Sequence, residues 1–498
     1  MDIPGYCPDE PEYPRILKMQ ALTPISTLHD QCARPIRRIA LTLPQGMYEE
    51  LHDYLFHDSS KEYACYLLCG HRLKNGTLTL FGCTLVLPEP EEYESHSLVS
   101  VRIKRPLLVE VLKECERLGL SLVDIHSHPF ANDSVGFSSV DEADEIEKAT
   151  WFSTHIPQCF YGSIVMGQRS HRARIRAVGG VTCDLEMKIR SVSCPIQLRS
   201  PSASKRKGSL SAFSRQIQAF GREGQVRMAD ARVAVVGVGG LGSGLAINLA
   251  RLGVRNFTLV DPDCVEMHNL NRLSGMTRAD GVLGLKKVDI ISRELLAIDP
   301  TIVVKRLPHD VRHPSVWRKL LDVDLIVSAT DNHASRLFLN ILSHQYFVPQ
   351  VSIGALIESR DGRIDGAFGH VALVLPSQAR PCLVCSKLID PVEAYYEHAA
   401  PEHRLKAAKE GYIKNFQETA PAVVHLNGVL INLALVEIHN LLHGFKDPQE
   451  YILYDLLEQQ IYHVALGTDK CAICGSGGGY FGRGDLVRID NFFQEFQT

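Results

Sequence analysis

Apolar and polar positions change their period several times along the chain, and the changes divide it. Residues 1–37 are Pro-rich and irregular, an extension without a clear period. Alternation begins at Arg38-Ile-Ala-Leu-Thr-Leu, which predicts a strand, and a helical segment follows over 45–56. Apolar runs from Ala64 to Cys69 and from Leu78 to Leu87 predict a β-rich stretch. Between Leu107 and Leu118, apolar residues at 107, 108, 111, 112 and 118 predict a helix. A short apolar strand, Ser121 to His126, runs straight into a His-rich loop, and another spans Ser163 to Met166. Residues 195–210, PIQLRSPSASKRKGSL, carry Pro, Ser and basic residues and read as a linker. Past it, a strand at Arg232–Gly237, a glycine-rich turn, a helix ending at Leu252 and a strand at Asn256–Asp261 make one βαβ unit. Further strands are predicted at Ile302–Leu307, Leu325–Ala329 and Val348–Ile353. The expected division is an extension (1–37), a first domain (38–195), a linker (196–210) and a second domain (211–498), with no internal repeat.

Composition narrows the class. Hydrophobic residues are 45% and charged residues 22%, an ordinary globular mixture. The net charge is −4, with no long run of like charge, so nucleic acid is not an expected partner. The N-terminus has no apolar core behind positive charge and does not read as a secretory signal. No stretch reaches 18 uninterrupted apolar residues, so no membrane span is expected. The most apolar segment, Val424 to Leu442, contains His425, Asn427, Asn432, Glu437, His439 and Asn440 and reads as a buried helix. Fourteen cysteines without a signal fit the reducing cytoplasm better than a disulfide framework.

Candidate chemistry lies first in the loop His126-Ser127-His128-Pro129, followed eight residues on by Ser138-Ser139-Val140-Asp141. Side chains two apart at a strand end point the same way, so both imidazoles can meet one metal. With Asp141 they make three ligands and leave a fourth position for water, the ligand count of a catalytic zinc. Glu62, just ahead of the strand from Ala64, is placed for a general base. This pattern resembles the JAMM (JAB/MPN) metalloprotease family, whose signature is Glu, His-x-His-Pro and Ser-x-x-Asp. The resemblance spans roughly residues 38 to 195, with a spacer before Ser138 about two residues longer than in many members. It implies zinc on His126, His128 and Asp141, Glu62 as acid/base and Ser138 steadying the oxyanion. The implied reaction is hydrolysis after the C-terminal glycine of a ubiquitin-like protein.

The second constellation begins at Gly237-Val-Gly239-Gly240-Leu-Gly242, after a strand and opening a helix, where backbone N–H groups can approach phosphates. Asp261 ends the next strand, as a ribose ligand does. Then come Asp263, Asn269-Leu-Asn271-Arg272, Gly284-Leu-Lys286-Lys287, and Ala329-Thr-Asp331-Asn332 with Arg336; the cations suit a triphosphate and Asp331 suits Mg²⁺. Phe213-Ser-Arg215-Gln216 stands upstream. These blocks resemble the ThiF/MoeB (HesA/MoeB/ThiF) family, which includes ubiquitin-activating enzymes, over about residues 211 to 480. The resemblance implies that Gly237, Gly239, Gly240 and Gly242 form the nucleotide turn and that Asp261 binds ribose. Asn269, Arg272 and Lys286 would contact phosphates or the pocket near adenine, and Asp331 would hold Mg²⁺. Arg215 would act in a partner subunit, which implies a homodimer. The implied reaction is ATP-dependent adenylation of a C-terminal carboxylate.

Cys382-x-x-Cys385 and Cys471-x-x-Cys474 suit a closed structural zinc site. Ubiquitin-activating enzymes carry a thioester-forming Cys after the first such pair, but Lys387 to Tyr462 contains none. Cys264 is the only other Cys in this half, at a position buried near ribose in the family. The expected architecture is therefore α/β: a JAMM-type mixed β-sheet with flanking helices, then a Rossmann-like doubly wound adenylation domain with a structural zinc. The expected function is trimming or deconjugation of a ubiquitin-like β-grasp protein and adenylation of its carboxylate, with a conjugating enzyme as possible partner. The alternative is maturation and activation of a sulfur-carrier protein for thiocarboxylate formation, with a sulfur donor as partner. A non-catalytic scaffold is the third reading, and the intact ligand sets argue against it.

Overall fold

The alternation starting at Arg38 becomes β1 (Arg38–Pro44), and the amphipathic stretch after it becomes α1 (Gln45–Phe56), which buries Met47, Leu51 and Leu55. The computed structural model describes residues 36–178, 181–199, 210–377, 380–397, 399, 401–409, 421–464, 471–475 and 479–489. Nearly all of the predicted extension and linker residues 200–209 lie outside these.

The first unit continues with β2 (Ala64–Lys74), β3 (Thr77–Val86), β4 (Tyr93–His96), β5 (Val101–Ile103), α2 (Arg105–Leu118) and β6 (Ser121–Ser127). It is completed by α3 (Ser139–His155), β7 (Phe160–Met166), β8 (His171–Val178), β9 (Val181–Glu186) and β10 (Lys188–Val192). Asn75 and Gly76, both at positive φ, join β2 to β3, as a two-residue hairpin turn requires. Eight strands form one mixed sheet in the order β10-β1-β3-β2-β6-β7-β8-β9. Leu41, Leu67 and Ile125 face α1 on one side of it. Tyr66, Leu68 and Leu122 face Val111 and Cys115 of α2 and Phe152 of α3 on the other.

The second unit holds α4 (Ser214–Asp230), β11 (Arg232–Val236), α5 (Gly240–Leu252), β12 (Asn256–Val260), α6 (Arg278–Leu283), α7 (Lys287–Ile298) and β13 (Val303–Leu307). Next come α8 (Pro314–Leu320), β14 (Leu325–Ser328), α9 (His333–Tyr346), β15 (Gln350–Arg360) and β16 (Arg363–Val374). Last are α10 (Pro391–Tyr396), α11 (Pro401–Lys409), α12 (Val424–His443), β17 (Tyr451–Asp455) and β18 (Gln460–His463). The sheet order is β13-β12-β11-β14-β15-β16-β17-β18. Its first five strands are parallel and its last three antiparallel. The parallel part runs 3-2-1-4-5, so the order reverses between β11 and β14, where doubly wound sheets bind ligands. Among the described residues α12 is the one helix long and apolar enough to cross a membrane. Half of that apolar stretch is buried, with Leu426, Leu430, Ala434 and Ile438 in the core shared with α5.

The boundary differs from the expected linker. Ile196 and Leu198 are buried in the second unit's core, and Arg199 N donates to Asp324 Oδ1 at 2.6 Å. Apolar residues spaced two apart sit among Pro and Ser there, and tertiary packing overrides the local composition. The two units also share a seam. Phe81 of β3 packs against Tyr346 and Phe347, and the 479–489 segment threads between the units. Asp485 N donates to His71 O at 2.7 Å, and Gln345 Nε2 to Gly484 O at 2.6 Å. On the first unit this seam lies at the Gly70–Lys74 end of β2, opposite Glu62. On the second it lies where β14 begins, opposite the glycine-rich turn.

Candidate functional site

The end of β6 carries two histidines. Tyr63 N donates to Ser127 Oγ (2.9 Å) and Ser127 N returns a bond to Tyr63 O (2.8 Å), fixing the approach of Glu62 to this strand end. His128 N donates to Met166 O (2.7 Å) and Phe130 stacks on its ring. Asp141 enters from the first turn of α3. Its Oδ1 lies 3.3 Å from His126 Nε2, and its Oδ2 lies 3.6 Å from His128 Nε2, which is 3.7 Å from Glu62 Oε1. The three candidate ligand atoms lie within 4.8 Å of one another.

These residues fit a metal. His126 Nε2 is buried and, with Asp141 Oδ1 3.3 Å away, makes no well-formed hydrogen bond, a cost of about 1–3 kcal/mol unless something binds it. A zinc about 2.0–2.1 Å from each N or O ligand needs ligand atoms roughly 3.3 Å apart, close to the spacings present. Burial pushes the Glu62 carboxyl up to about 7; His126 pulls it back and the Asp141 charge raises it further. Burial also raises Asp141, but His126 and the Ser138 backbone and hydroxyl outweigh it and hold that carboxyl well below the usual range. A group able to take a proton near neutrality thus stands beside one that stays ionised.

Ser138 has a structural duty. It is the N-cap of α3: Asp141 N donates to its Oγ (3.2 Å), and Ser138 N donates to Asp141 Oδ2 (2.6 Å). This capping box orients the Asp141 carboxylate. The structure thus ties Ser138 to the candidate ligand Asp141, whereas the sequence resemblance gave it the oxyanion.

Gly237 closes the nucleotide turn at φ 82°, where a Cβ would lie 2.6 Å from Ala329 O; a Cβ on Gly242 would lie 1.9 Å from Gly237 O. Only glycine permits this strand–turn–helix approach. Gly239 is the N-cap of α5 and Gly240 its first residue. Asp261 is buried; its Oδ2 accepts from Val238 N (2.9 Å) and its Oδ1 from Asp263 N (3.0 Å). Burial raises its carboxyl, with Lys287 opposing.

The lysines divide differently from the expectation. Lys286 Nζ donates to the Pro262 carbonyl (2.6 Å). Lys287, passed over in the sequence reading, projects to Asp263 Oδ2 (2.7 Å) and Asp261 Oδ1 (3.9 Å). Burial lowers its ammonium, but Asp261, Asp263 and Asp331 together hold it above the ordinary value. Adjacent residues at a helix start point about 100° apart, and spacing alone did not show which faces the turn. Asn269 is buried and accepts from Glu266 N (3.0 Å), capping the turn that presents Arg272. Arg272 donates to His268 O and Asn271 Oδ1, and its Cγ and Cδ would lie 3.4 Å from a Cβ on Gly240. Asp331 is exposed just beyond β14, and Arg215 is exposed in the first turn of α4. Cys264 is exposed, not buried as family position implied.

Residues 213–475, more than half of the chain, match the model of the ThiF family. The chain belongs to the ThiF family. It is 29% identical to the molybdopterin-synthase adenylyltransferase of Escherichia coli (strain K12) over 269 residues, 53% of this chain and 95% of that one. It is 31% identical over 175 residues to the sulfur carrier protein ThiS adenylyltransferase of Bacillus subtilis (strain 168), 35% of this chain and 49% of that one. The SAMP-activating enzyme E1 of Haloferax volcanii is 27% identical over 274 residues, 54% of this chain and 90% of that one.

The four cysteines also converge. Sγ–Sγ distances are 3.8 Å (Cys382–Cys385), 3.6 Å (Cys382–Cys471), 3.7 Å (Cys385–Cys474) and 4.0 Å (Cys471–Cys474). A tetrahedral zinc with Zn–S of about 2.3 Å sets its sulfurs roughly 3.8 Å apart. The donor set fits that ion, and Cys382 and Cys474 are fully buried beside α9.

Proposed function

We propose that this ThiF-family chain adenylates the C-terminal carboxylate of a small sulfur-carrier protein of the β-grasp class. We further propose that its N-terminal centre hydrolyses the bond after that carrier's terminal glycine. The observation that carries the first part is the glycine turn at the sheet's switch point, faced by Asp261, Lys287 and Arg272, in a chain similar to adenylyltransferases. A carboxylate oxygen of the carrier attacks the α-phosphorus of ATP, the bond to the β-phosphate oxygen breaks, and acyl-adenylate and pyrophosphate result. Lys287 and Arg272 offset the charge gathering on the phosphates. Asp261 orients the ribose, and Asp331 would hold Mg²⁺. Arg215 serves the partner subunit of a homodimer. The Cys382, Cys385, Cys471 and Cys474 thiolates hold a structural zinc.

At the N-terminal centre His126, His128 and Asp141 would hold zinc in the manner of JAMM proteases, and the chemistry it would supply there is a more acidic water and a polarised scissile carbonyl. Glu62 takes the water's proton and returns it to the leaving amine. Ser138 fixes Asp141 and has its own proton to donate. The absence of a cysteine from Lys387 to Tyr462 favours an adenylate passed to a sulfur donor over a thioester. A second reading, protein conjugation, draws on the N-terminal centre, since an isopeptide made by one half could be cut by the other.

The test mixes the purified chain, Mg²⁺, ATP and a sulfur-carrier protein ending in Gly-Gly, and follows ATP–pyrophosphate exchange. A carrier extended by a few residues is followed by mass spectrometry. Carrier-dependent exchange and release of the extension are expected; no exchange with any such carrier overturns the adenylation reading. A thiocarboxylate product favours the sulfur route, and a carrier–protein isopeptide favours conjugation.

A further inference from the structure

Helix α12 brings one polar side chain to the nucleotide turn that neither its apolar pattern nor the adenylation chemistry above accounts for. Asn427 is 3% exposed, in the helix's first turn, next to the core residues Leu426, Leu430 and Ile431. Its Nδ2 has no hydrogen-bond partner. The same Nδ2 would lie 2.6 Å from a Cβ placed on Gly240, so the amide presses on the first residue of α5, where only glycine leaves room. The Cγ and Cδ of Arg272 would lie 3.4 Å from the same Cβ.

Two sets of donors therefore meet at one helix end. The N-terminus of α5 presents backbone N–H groups that no intrahelical carbonyl can take. Its N-cap, Gly239, has no side chain to cap them. Asn427 adds an unpaired amide, and the stem of Arg272 packs on the same glycine while its guanidinium donates to His268 O and Asn271 Oδ1. A buried amide NH₂ is costly to leave without an acceptor, and among the described residues none supplies one. An anion with several oxygens would satisfy all of them at once.

We propose that Asn427 is a phosphate-binding residue of the adenylating site: its side-chain amide donates to an oxygen of the bound nucleotide's phosphates, beside Arg272 and the N-terminus of α5. This rests on the nucleotide reading of that site. A neutral amide suits the place because it donates two hydrogens without adding charge to a site already holding Arg272 and Lys287. It also lies on α12, a different segment from the glycine-rich turn, so nucleotide binding would tie this helix to α5.

The test is calorimetric binding of Mg-ATP to the full chain and to two variants. Asn427→Asp keeps the shape but turns a donor into a charged acceptor; Asn427→Leu removes the polarity within apolar surroundings. Expected are a roughly tenfold weaker dissociation constant for Asn427→Leu and a hundredfold or greater loss for Asn427→Asp. The dissociation constant of adenosine, which has no phosphate, should change less than twofold in both. Unchanged Mg-ATP affinity in Asn427→Asp overturns the proposal. So does an equal loss of Mg-ATP and adenosine affinity, which marks mere damage to the fold. Should Asn427→Leu not fold, Asn427→Ser takes its place with the same expectation. A wild-type chain that binds no Mg-ATP overturns the nucleotide reading itself, which is a different result from a binding wild type with indifferent variants.

Discussion

Two groups of side chains that could hold a metal ion stand among the described residues, and they differ in what surrounds them. Cys382, Cys385, Cys471 and Cys474 form a closed set of four soft ligands, joined to the core that α9 and the 479–489 segment share. His126, His128 and Asp141 form a set of three harder ligands at a strand end, with Glu62 beside them and no fourth protein ligand among the described residues. On the function proposed above, ligand count and neighbourhood separate a brace from a reaction centre. A closed set has nowhere to admit a substrate, and its removal is felt as stability. An open set with a neighbouring carboxyl near neutrality is felt as activity.

The largest effect tests that division. Cys382→Ser should remove about one of two zinc ions per chain and unfold the second unit, since binding energy of such a site is folding energy, on the order of 10 kcal/mol. His126→Ala should remove the other zinc and cost little stability. Metal analysis and thermal unfolding of both variants check this. If Cys382→Ser melts like wild type, the four-cysteine cluster is no brace and the comparison fails.

Next in size are two losses of activity with the fold intact. Glu62→Gln should slow cleavage of an extended carrier about 10²–10⁴-fold while zinc content is retained. On the other side, Lys287→Ala should lower ATP–pyrophosphate exchange about 10²–10³-fold, and Lys286→Ala should change it little. Equal effects of the two lysine variants would contradict the orientation that places only Lys287 towards Asp261 and Asp263.

That pair of lysines also marks where the sequence stops being legible. The glycine turn, Asp261 and the parallel strands could be read in advance because each rests on local chemistry: a strand, a tight turn, a helix end. The two Cys-x-x-Cys pairs were legible for the same reason, although only the fold closes the 85 residues between them. The choice between Lys286 and Lys287 depends on where α7 begins. The capping duty of Ser138 depends on α3 starting one residue later, at a loop whose pattern gave no helix. The packing of Ile196 and Leu198, the seam carried by 479–489 and the inward turn of Asn427 are tertiary facts, set by partners more than a hundred residues away or on another helix.

The seam between the units gives a smaller, pH-dependent test. His71 lies in β2 beside it, buried, with its ring edge-on to Phe160 and Nδ1 3.2 Å from Ser121 Oγ. Burial holds its pKa down to about 4, against 6.5 for the free side chain. The folded state therefore resists protonation while the unfolded state accepts it. Stability is full above pH 6.5 and is lost as the pH falls towards 4. At pH 5 the loss is about 2 kcal/mol, at roughly 1.4 kcal/mol for each pH unit between 6.5 and 5. Urea midpoints at pH 7.5 and pH 5 should converge in His71→Leu relative to wild type. An unchanged difference between the two pH values in the variant would exclude His71 as the source.

The smallest effect belongs to the charges on the same seam. Asp322 meets Lys74 Nζ at 2.9 Å and Arg72 Nη2 at 3.5 Å, but its side chain is 47% exposed. Burial raises its carboxyl and the two cations outweigh that, so its pKa is lowered. Water and salt screen such a cluster, and exposed pairs contribute about 0.2–1 kcal/mol. The apolar contacts of Phe81 with Tyr346 and Phe347 are dry by contrast, with Phe81 and Phe347 buried to 1% exposure. Asp322→Asn should therefore cost under about 1 kcal/mol in low salt, and the cost should shrink in 1 M NaCl, where the screening length falls to about 3 Å. A larger loss that salt leaves unchanged would mean that the ion cluster, and not the aromatic contact, holds the two units together.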